Sequence, residues 1–147
     1  MLPLPVSHDV NILQVGHSLG GALAELEAMF FTLNLPSSVH VKAVTYGTPR
    51  VGNPAWAAFF DSKVSDFVRI DNMKDPIPIV PGRFLGFQHP RGEIHIKSGE
   101  EAYACTGDDD ATDSECTISQ VPNVVASNVL NHLGPYDGIY ISTLSCT

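Results

Sequence analysis

Positive charge is scarce in this sequence of 147 residues. Lysine and arginine together number 8, against 16 aspartate and glutamate residues, which gives a formal net charge of −8. A nucleic-acid surface needs clustered basic side chains to neutralise phosphates, so the composition argues against nucleic acid as a partner. No apolar run approaches the roughly 20 residues that a transmembrane helix needs, so we predict no membrane span. The first ten residues have neither a basic segment nor a continuous apolar stretch, and they predict no signal peptide.

The sequence also lacks the usual motifs of metal and cofactor sites. It has only three cysteines and no Cys-x-x-Cys pair, and its six histidines show no His-x-x-x-His spacing. The glycine-rich stretch 16–21 lacks the Lys-Ser/Thr ending of a phosphate loop. Acidic residues cluster at 108–110 and at Asp113 without an EF-hand register, and we interpret 106–114 as a solvated surface loop. We therefore predict neither a metal nor a cofactor.

Strand and helix patterns alternate along the chain. Short β-branched or alternating segments predict strands at 10–15, 39–46, 67–70 and 93–97. Helices are predicted from Leu19 to the proline at 36, after the Asn53-Pro54 pair, and at 124–131. This alternation predicts one α/β domain with a mostly parallel sheet and flanking helices.

The first predicted helix carries a row of large apolar side chains. They recur at steps of three and four, which is the spacing of one helix face: Leu19, Leu23, Leu26, Phe30 and Leu33. Small apolar residues occupy most of the other positions. We therefore expect this helix to be buried against the sheet.

A Gly-x-Ser-x-Gly motif lies between the first predicted strand and this helix. In that context Gly16, Ser18 and Gly20 are typical of a nucleophile elbow, a sharp turn in which side chains at the flanking positions would clash. The turn would present the Ser18 hydroxyl at the carboxyl edge of the sheet. The N–H of Leu19, at the helix N-terminus, would then point toward a developing oxyanion.

A serine nucleophile needs a base and a carboxylate that orients the base. In α/β-hydrolases the chain order is serine, acid, histidine. Asp75 follows a predicted strand and opens a proline-rich loop, and Asp71 competes with it for the acid role.

Only two histidines suit the base by position. The histidines at 8, 17 and 40 precede the acid, and His95 lies in an alternating strand and is interpreted as a surface residue. His132 and His89 both lie in loops after Asp75, and position alone leaves the choice between them open.

Several stretches resemble the carboxyl-terminal half of the fungal class 3 lipases, secreted triacylglycerol lipases of the α/β-hydrolase fold, and look most like the basidiomycete members. They are residues 16–24, 46–53 and 75–81, with a weaker match at 131–133, where Asn131 stands in place of the aspartate that many members carry. The resemblance covers essentially the whole chain. It implies that residues 1–147 are the carboxyl-terminal portion of one α/β-hydrolase domain.

The resemblance also implies the site residues and the location. Ser18 would be the nucleophile, Asp75 the orienting acid and His132 the base, while the segment around His89 looks like a family loop outside the triad. The N–H of Leu19 would be one oxyanion donor. In the family the second donor, the lid and the earlier strands precede the point that corresponds to Met1. Family members are secreted, and we expect the same here.

The cysteine count is odd. Cys105 and Cys116 can close a short loop, and such a disulfide contributes about 2–3 kcal/mol to stability. Cys146 then has no partner in the sequence, and the resemblance implies a partner in the amino-terminal half of the domain.

The leading functional hypothesis is a carboxylic ester hydrolase, a triacylglycerol lipase that meets its lipid substrate at an oil–water interface. A feruloyl-type esterase and a phospholipase A1 are alternatives within the same fold. A truncated, inactive fragment is an alternative of another class, and a noncatalytic binding module is a third. The oligomeric state is not indicated by the sequence.

Overall fold

The computed structural model describes residues 11–98, 101–107, 109 and 112–142. Its centre is a five-stranded sheet whose spatial order follows the chain order. The first four strands run parallel, and the last pairs antiparallel with the fourth. The strands are β1 (Asn11–His17), β2 (His40–Tyr46), β3 (Asp66–Asn72), β4 (Glu93–Ser98) and β5 (Glu101–Ala104). The predicted mostly parallel sheet is confirmed.

Two crossover helices connect the first three strands. They are α1 (Leu19–Asn34) and α2 (Pro54–Lys63), and a short helix α3 (Thr117–Gln120) follows β5. The side chain of Asn53 accepts a hydrogen bond from the Trp56 N–H at 2.9 Å, so α2 begins at the predicted cap. Parallel strands need such crossovers, and their carboxyl ends then meet at one edge of the sheet.

Both helices pack on the same sheet face. The core cluster joins side chains of α1, β2 and the end of α2, namely Ala28, Met29, Val41, Ala43, Phe60 and Val64. Residues 41 and 43 share one side of β2 because side chains alternate along a strand. The core therefore lies between this face and the two helices.

The apolar row of α1 is not buried, so this expectation is wrong. Leu19 is 69% exposed and Phe30 is 59% exposed, and the other members of the row are also exposed. The helix instead packs through small side chains such as Ala24 and Ala28. Small residues let the helix axis approach the sheet closely, and this turns the larger side chains outward.

The segment 124–131 does not form the predicted α-helix. It contains two short 3-10 turns, Val124–Ala126 and Val129–Leu133. The side chains of Asn123 and Asn128 accept hydrogen bonds from backbone N–H groups of these turns. Asparagine caps of this kind compete with helix continuation, and they divide the segment.

The acidic loop is not uniformly solvated as predicted. Asp109 is buried and forms a salt bridge with the buried Arg50. The Arg50 guanidinium also donates to two backbone carbonyls, that of Ile79 at 2.5 Å and that of Pro81 at 2.9 Å. The loop is thereby fixed to the segment after β3, while residues 108 and 110 lie outside the described part of the chain.

The predicted disulfide between Cys105 and Cys116 is present. Cys146 and His8, by contrast, lie outside the described residues. None of the helices in the described part of the chain is long and apolar enough to cross a bilayer.

Candidate active site

Ser18 lies at the turn between β1 and α1, at the carboxyl edge of the sheet. Its backbone has φ 58° and ψ −128°, a conformation that residues other than glycine rarely adopt. A Cβ on Gly16 would come within 2.0 Å of the Gly20 carbonyl oxygen, so only glycine fits there. The strained turn that the Gly-x-Ser-x-Gly motif predicts is therefore present. The predicted steric conflict holds at Gly16 and is wrong for Gly20, where a Cβ would meet no atom within 4 Å.

Leu19 is the first residue of α1. The first four N–H groups of an α-helix have no carbonyl partner within the helix, and they carry the positive end of its dipole. In this turn the Gly21 N–H bonds to the Ser18 carbonyl at 2.9 Å, and the N–H of Leu19 directly follows Ser18 in the chain. The oxyanion role of the Leu19 N–H stays a prediction.

The structure brings Asp75 and His132 together, although they are 57 residues apart in sequence. The Nδ1–H of His132 donates to Oδ2 of Asp75 at 2.8 Å, and Asp75 is fully buried. The second oxygen of Asp75 accepts the N–H of Ile77 at 2.8 Å. These bonds fix the carboxylate and set the imidazole tautomer, which leaves the Nε2 of His132 as the basic nitrogen.

Gly47 and Tyr136 complete the surroundings of this pair. Gly47 has φ +52°, and a Cβ there would lie 2.7 Å from both Oδ2 of Asp75 and the Tyr136 hydroxyl. That hydroxyl is 3.5 Å from Oδ2 of Asp75 and 3.3 Å from the carbonyl oxygen of His132. Burial raises the pKa of Tyr136 far above its usual value, so the hydroxyl keeps its proton.

Sequence reasoning missed the roles of Gly47 and Tyr136. Gly47 lies in the stretch 46–53 that matches the class 3 lipases, which was its only sequence signal. Tyr136 follows His132 by four residues, after a Gly-Pro pair that marks a turn. Neither signal shows that both residues converge on the carboxylate.

The alternative base His89 lies elsewhere. It is 1% exposed, and its Nε2–H donates to the carbonyl of Pro78 at 2.8 Å. Burial lowers the pKa of His89 well below its usual value. The interpretation of His95 as a surface residue is wrong, because its ring is buried between the carbonyls of Met73 and Glu115.

The alternative acid Asp71 is engaged in a buried ion cluster. It pairs with Arg69, whose guanidinium also contacts Glu93 at 3.0 Å. Glu93 accepts the N–H of Thr117 at 2.7 Å, and the Thr117 hydroxyl donates to Asp71 at 3.3 Å. Burial opposes ionisation of Glu93, yet Arg69 and the Thr117 N–H lower its pKa. Thr117 directly follows the disulfide-bonded Cys116, so this loop is anchored to the cluster.

An apolar groove of about 530 Å³ opens along residues 79–85, and its lining includes none of Ser18, Asp75 and His132. Two apolar side chains on loops are largely exposed: Phe84, which lines this groove, at 89%, and Leu130, which lines a separate pocket, at 67%. The lining of the groove includes Ile79, Val80, Phe84, Leu85, Ile118 and Val124.

A mostly parallel sheet with a serine at a strand–turn–helix elbow defines an α/β-hydrolase. The sequence model described as lipase (class 3) matches residues 4–85. The chain belongs to the class 3 lipase family.

Sequence similarity to individual fungal lipases supports this membership. The chain is 39% identical over 98 residues to the secreted mono- and diacylglycerol lipase LIP1 of Malassezia globosa, covering 66% of this chain and 32% of the relative. It is 37% identical over 130 residues to a lipase of Rhizopus niveus, covering 86% of this chain and 32% of that protein.

Solved structures share the fold. Lipase II from Rhizopus niveus superposes with a TM-score of 0.78 at 35% identity, covering 88% of this chain and 48% of that structure. A triacylglycerol lipase whose catalytic centre is formed by a serine protease triad superposes with a TM-score of 0.76 at 34% identity. The match covers 90% of this chain and 49% of that structure. The chain thus spans about half the length of these structures and about a third of the curated relatives.

Proposed function

We propose that the chain is a carboxylic ester hydrolase that acts on acylglycerols through Ser18, His132 and Asp75. The main support is the 2.8 Å hydrogen bond from His132 to the fully buried Asp75, beside the strained elbow that carries Ser18. Nucleophile, base and orienting acid then occur in the chain order of α/β-hydrolases. The assignment of residues 1–147 to the carboxyl-terminal portion of one such domain stays a prediction.

In the first half of the reaction, the Ser18 hydroxyl oxygen attacks the ester carbonyl carbon. His132 Nε2 takes the hydroxyl proton, and the carbonyl electrons move onto oxygen to give a tetrahedral oxyanion. The Leu19 N–H is the donor that we assign to this oxyanion. Collapse of the intermediate breaks the ester C–O bond, and His132 returns the proton to the departing alcohol.

In the second half, water attacks the acyl group carried by Ser18. His132 removes a proton from the water and then gives it to the Ser18 oxygen, so the free acid and the original enzyme are formed. Asp75 stays ionised throughout, and it stabilises the imidazolium that His132 becomes in each step. Its burial strengthens this attraction because little water screens it.

The substrate class has two supports. Two of the relatives named above are a mono- and diacylglycerol lipase and a triacylglycerol lipase. The exposed apolar side chains of Phe84 and Leu130 also suit contact with a lipid surface. Comparing rates on short-chain, long-chain and feruloyl esters and on phospholipid separates a lipase from a feruloyl-type esterase and a phospholipase A1.

We further propose that the protein acts outside the cell. Its relatives include lipases named as secreted, and disulfides such as Cys105–Cys116 persist in oxidising compartments. Detection of the native protein in culture medium, with the disulfide intact by mass spectrometry, would support this location. Detection only in cell lysate would contradict it.

The experiment that tests the chemistry is covalent labelling of the 147-residue chain with a fluorophosphonate. We expect the unsubstituted chain to be labelled at Ser18 and Ser18→Ala to remain unlabelled. Ser127→Ala is a matched control, because that hydroxyl only donates to the carbonyl of Val124. A folded chain that takes no label would favour the inactive-fragment alternative and reject the proposal.

A further inference from the structure

His17 directly precedes Ser18, and it contacts the segment that carries His132. Its Nε2–H donates to the backbone carbonyl of His132 at 2.7 Å. The two imidazole rings also face each other, with centroids 4.4 Å apart and planes tilted by 30°. One side chain thus touches both the main chain and the ring of the proposed base.

The segment around His132 has little regular structure to hold it. His132 lies in the five-residue 3-10 turn Val129–Leu133, which Gly134 follows as the C-cap. Hydrogen bonds from side chains of the sheet edge compensate for this. Asn72, the last residue of β3, donates to the carbonyl of Asn131 at 2.8 Å, and His17, the last residue of β1, donates to the next carbonyl.

We propose that His17 is a positioning residue that keeps His132 in register with Ser18. The hydrogen bond from Nε2 fixes the peptide plane of His132, and the ring contact limits the tilt of its imidazole. Because His17 and Ser18 are neighbours in one strained turn, the bond ties the base to the nucleophile through a few covalent bonds. The inference rests on the proposed function, since it assigns His132 the role of base.

The protonation of His17 suits this role. Burial lowers its pKa more than the hydrogen bond to the His132 carbonyl and the charge of Asp75 raise it, and the charge of His132 adds a smaller lowering effect. A neutral ring that donates from Nε2 does not add a second positive charge beside the imidazolium that His132 becomes during the reaction. The tautomer is also fixed, because a carbonyl oxygen can only accept a hydrogen bond.

Two substitutions separate the hydrogen bond from the ring contact. His17→Phe keeps an aromatic ring and removes the donor, whereas His17→Gln removes the ring and keeps an N–H at a similar reach. We expect the maximal rate of fluorophosphonate inactivation to fall about tenfold in His17→Phe, the rate equivalent of one hydrogen bond. The half-saturating inhibitor concentration should stay the same. His17→Gln should retain the rate within about threefold.

A histidine outside the site supplies the control. His40 on β2 is exposed and contacts Asp66, so His40→Phe should label at the unsubstituted rate. Equal rates for His17→Phe and the unsubstituted chain would overturn the inference. So would a loss in His17→Gln as large as that in His17→Phe.

An NMR measurement on the unsubstituted chain tests the inference even if the variants do not fold or the chain does not react with the label. Nitrogen-15 NMR of the unsubstituted chain should show His17 as the tautomer protonated at Nε2, with a coupling across the hydrogen bond to His132. A ring protonated only at Nδ1 would overturn the inference. Absence of labelling in the unsubstituted chain would reject the proposed function, and the NMR result would still decide whether His17 donates to His132.

Discussion

Glu25 of α1 accepts a hydrogen bond from the indole N–H of Trp56 in α2, at 2.8 Å, although its carboxyl group is fully buried. This bond engages only one carboxyl oxygen, and the other has no hydrogen-bond partner within the described residues. A buried carboxylate with one donor is costly to ionise. Burial accordingly raises the pKa of Glu25 to about 7.

The raised pKa of Glu25 predicts that the free energy of unfolding declines as the pH rises. The folded pKa of about 7 exceeds the usual value of 4.5, so the folded state binds this proton more tightly than the unfolded state. The resulting stabilisation is complete below about pH 4.5 and is lost as pH rises through about 7. Glu25→Gln should remove this dependence and be the more stable protein at pH 8, by up to about 3 kcal/mol.

Urea denaturation at pH 5, 6, 7 and 8 measures this effect. Glu27→Gln is the matched control, because Glu27 lies on the same helix and is exposed. Its unfolding free energy should follow that of the unsubstituted chain at each pH. If the curves for Glu25→Gln and the unsubstituted chain run parallel from pH 5 to 8, the buried carboxyl does not control this decline.

Gly47→Ala should lower the rate of catalysis about 100-fold while the chain stays folded. The added methyl group would overlap Oδ2 of Asp75 and would lie 2.9 Å from Nδ1 of His132, so that pair must separate. A displacement of about 1 Å at a reacting group lowers the rate about 100-fold. The rate of Ser18 labelling, measured beside the melting temperature, tests this expectation.

Gly86→Ala separates the steric effect from backbone strain. Gly86 also has a left-handed φ, +84°, but a Cβ there meets no atom within 4 Å. Both substitutions should cost about 1–2 kcal/mol of stability, because alanine is strained at positive φ. Only Gly47→Ala should lose activity, and an equal loss in both would point to strain as the cause.

Replacing the exposed apolar side chains of Phe84 and Leu130 should weaken activity at a lipid surface. Phe84 is 89% exposed and Leu130 is 67% exposed, and each would gain free energy by entering lipid. Phe84→Ser and Leu130→Ser should lower the rate on emulsified triacylglycerol about tenfold each. Rates on a dissolved short-chain ester should change little.

Leu33→Ser provides the comparison, since Leu33 is 52% exposed but lies near the far end of α1. It should leave the ratio of emulsion rate to soluble rate unchanged. The same drop in Leu33→Ser would mean that general surface hydrophobicity, and not the loops that carry Phe84 and Leu130, governs adsorption.

The site was partly predictable because some of its signals are local. The turn at Ser18 depends on Gly16, where a Cβ would clash with the Gly20 carbonyl, and the position of Asp75 follows from the strand before it. The choice between His132 and His89 needed the family resemblance or the fold, since both histidines lie in loops of similar composition. Only the folded chain shows that His89 donates to Pro78 inside the protein.

Other features were not predictable because several patterns fit the same residues. In α1 both the small side chains and the large row are apolar, and periodicity does not show which one faces the sheet. The segment 124–131 is predicted as one helix, but the side chain of Asn128 caps the start of a second turn and so divides the segment. Tyr136 contacts Asp75 although the two residues are 61 positions apart in sequence, and no local sequence pattern predicts such a contact.

The exposed row of large apolar side chains on α1 affects how the chain behaves in solution. A contiguous apolar stripe in water favours self-association as concentration rises. Rates measured at one concentration would then mix catalysis with aggregation. A dilution series in which activity per mole of protein stays constant distinguishes the properties of the single chain from those of its clusters.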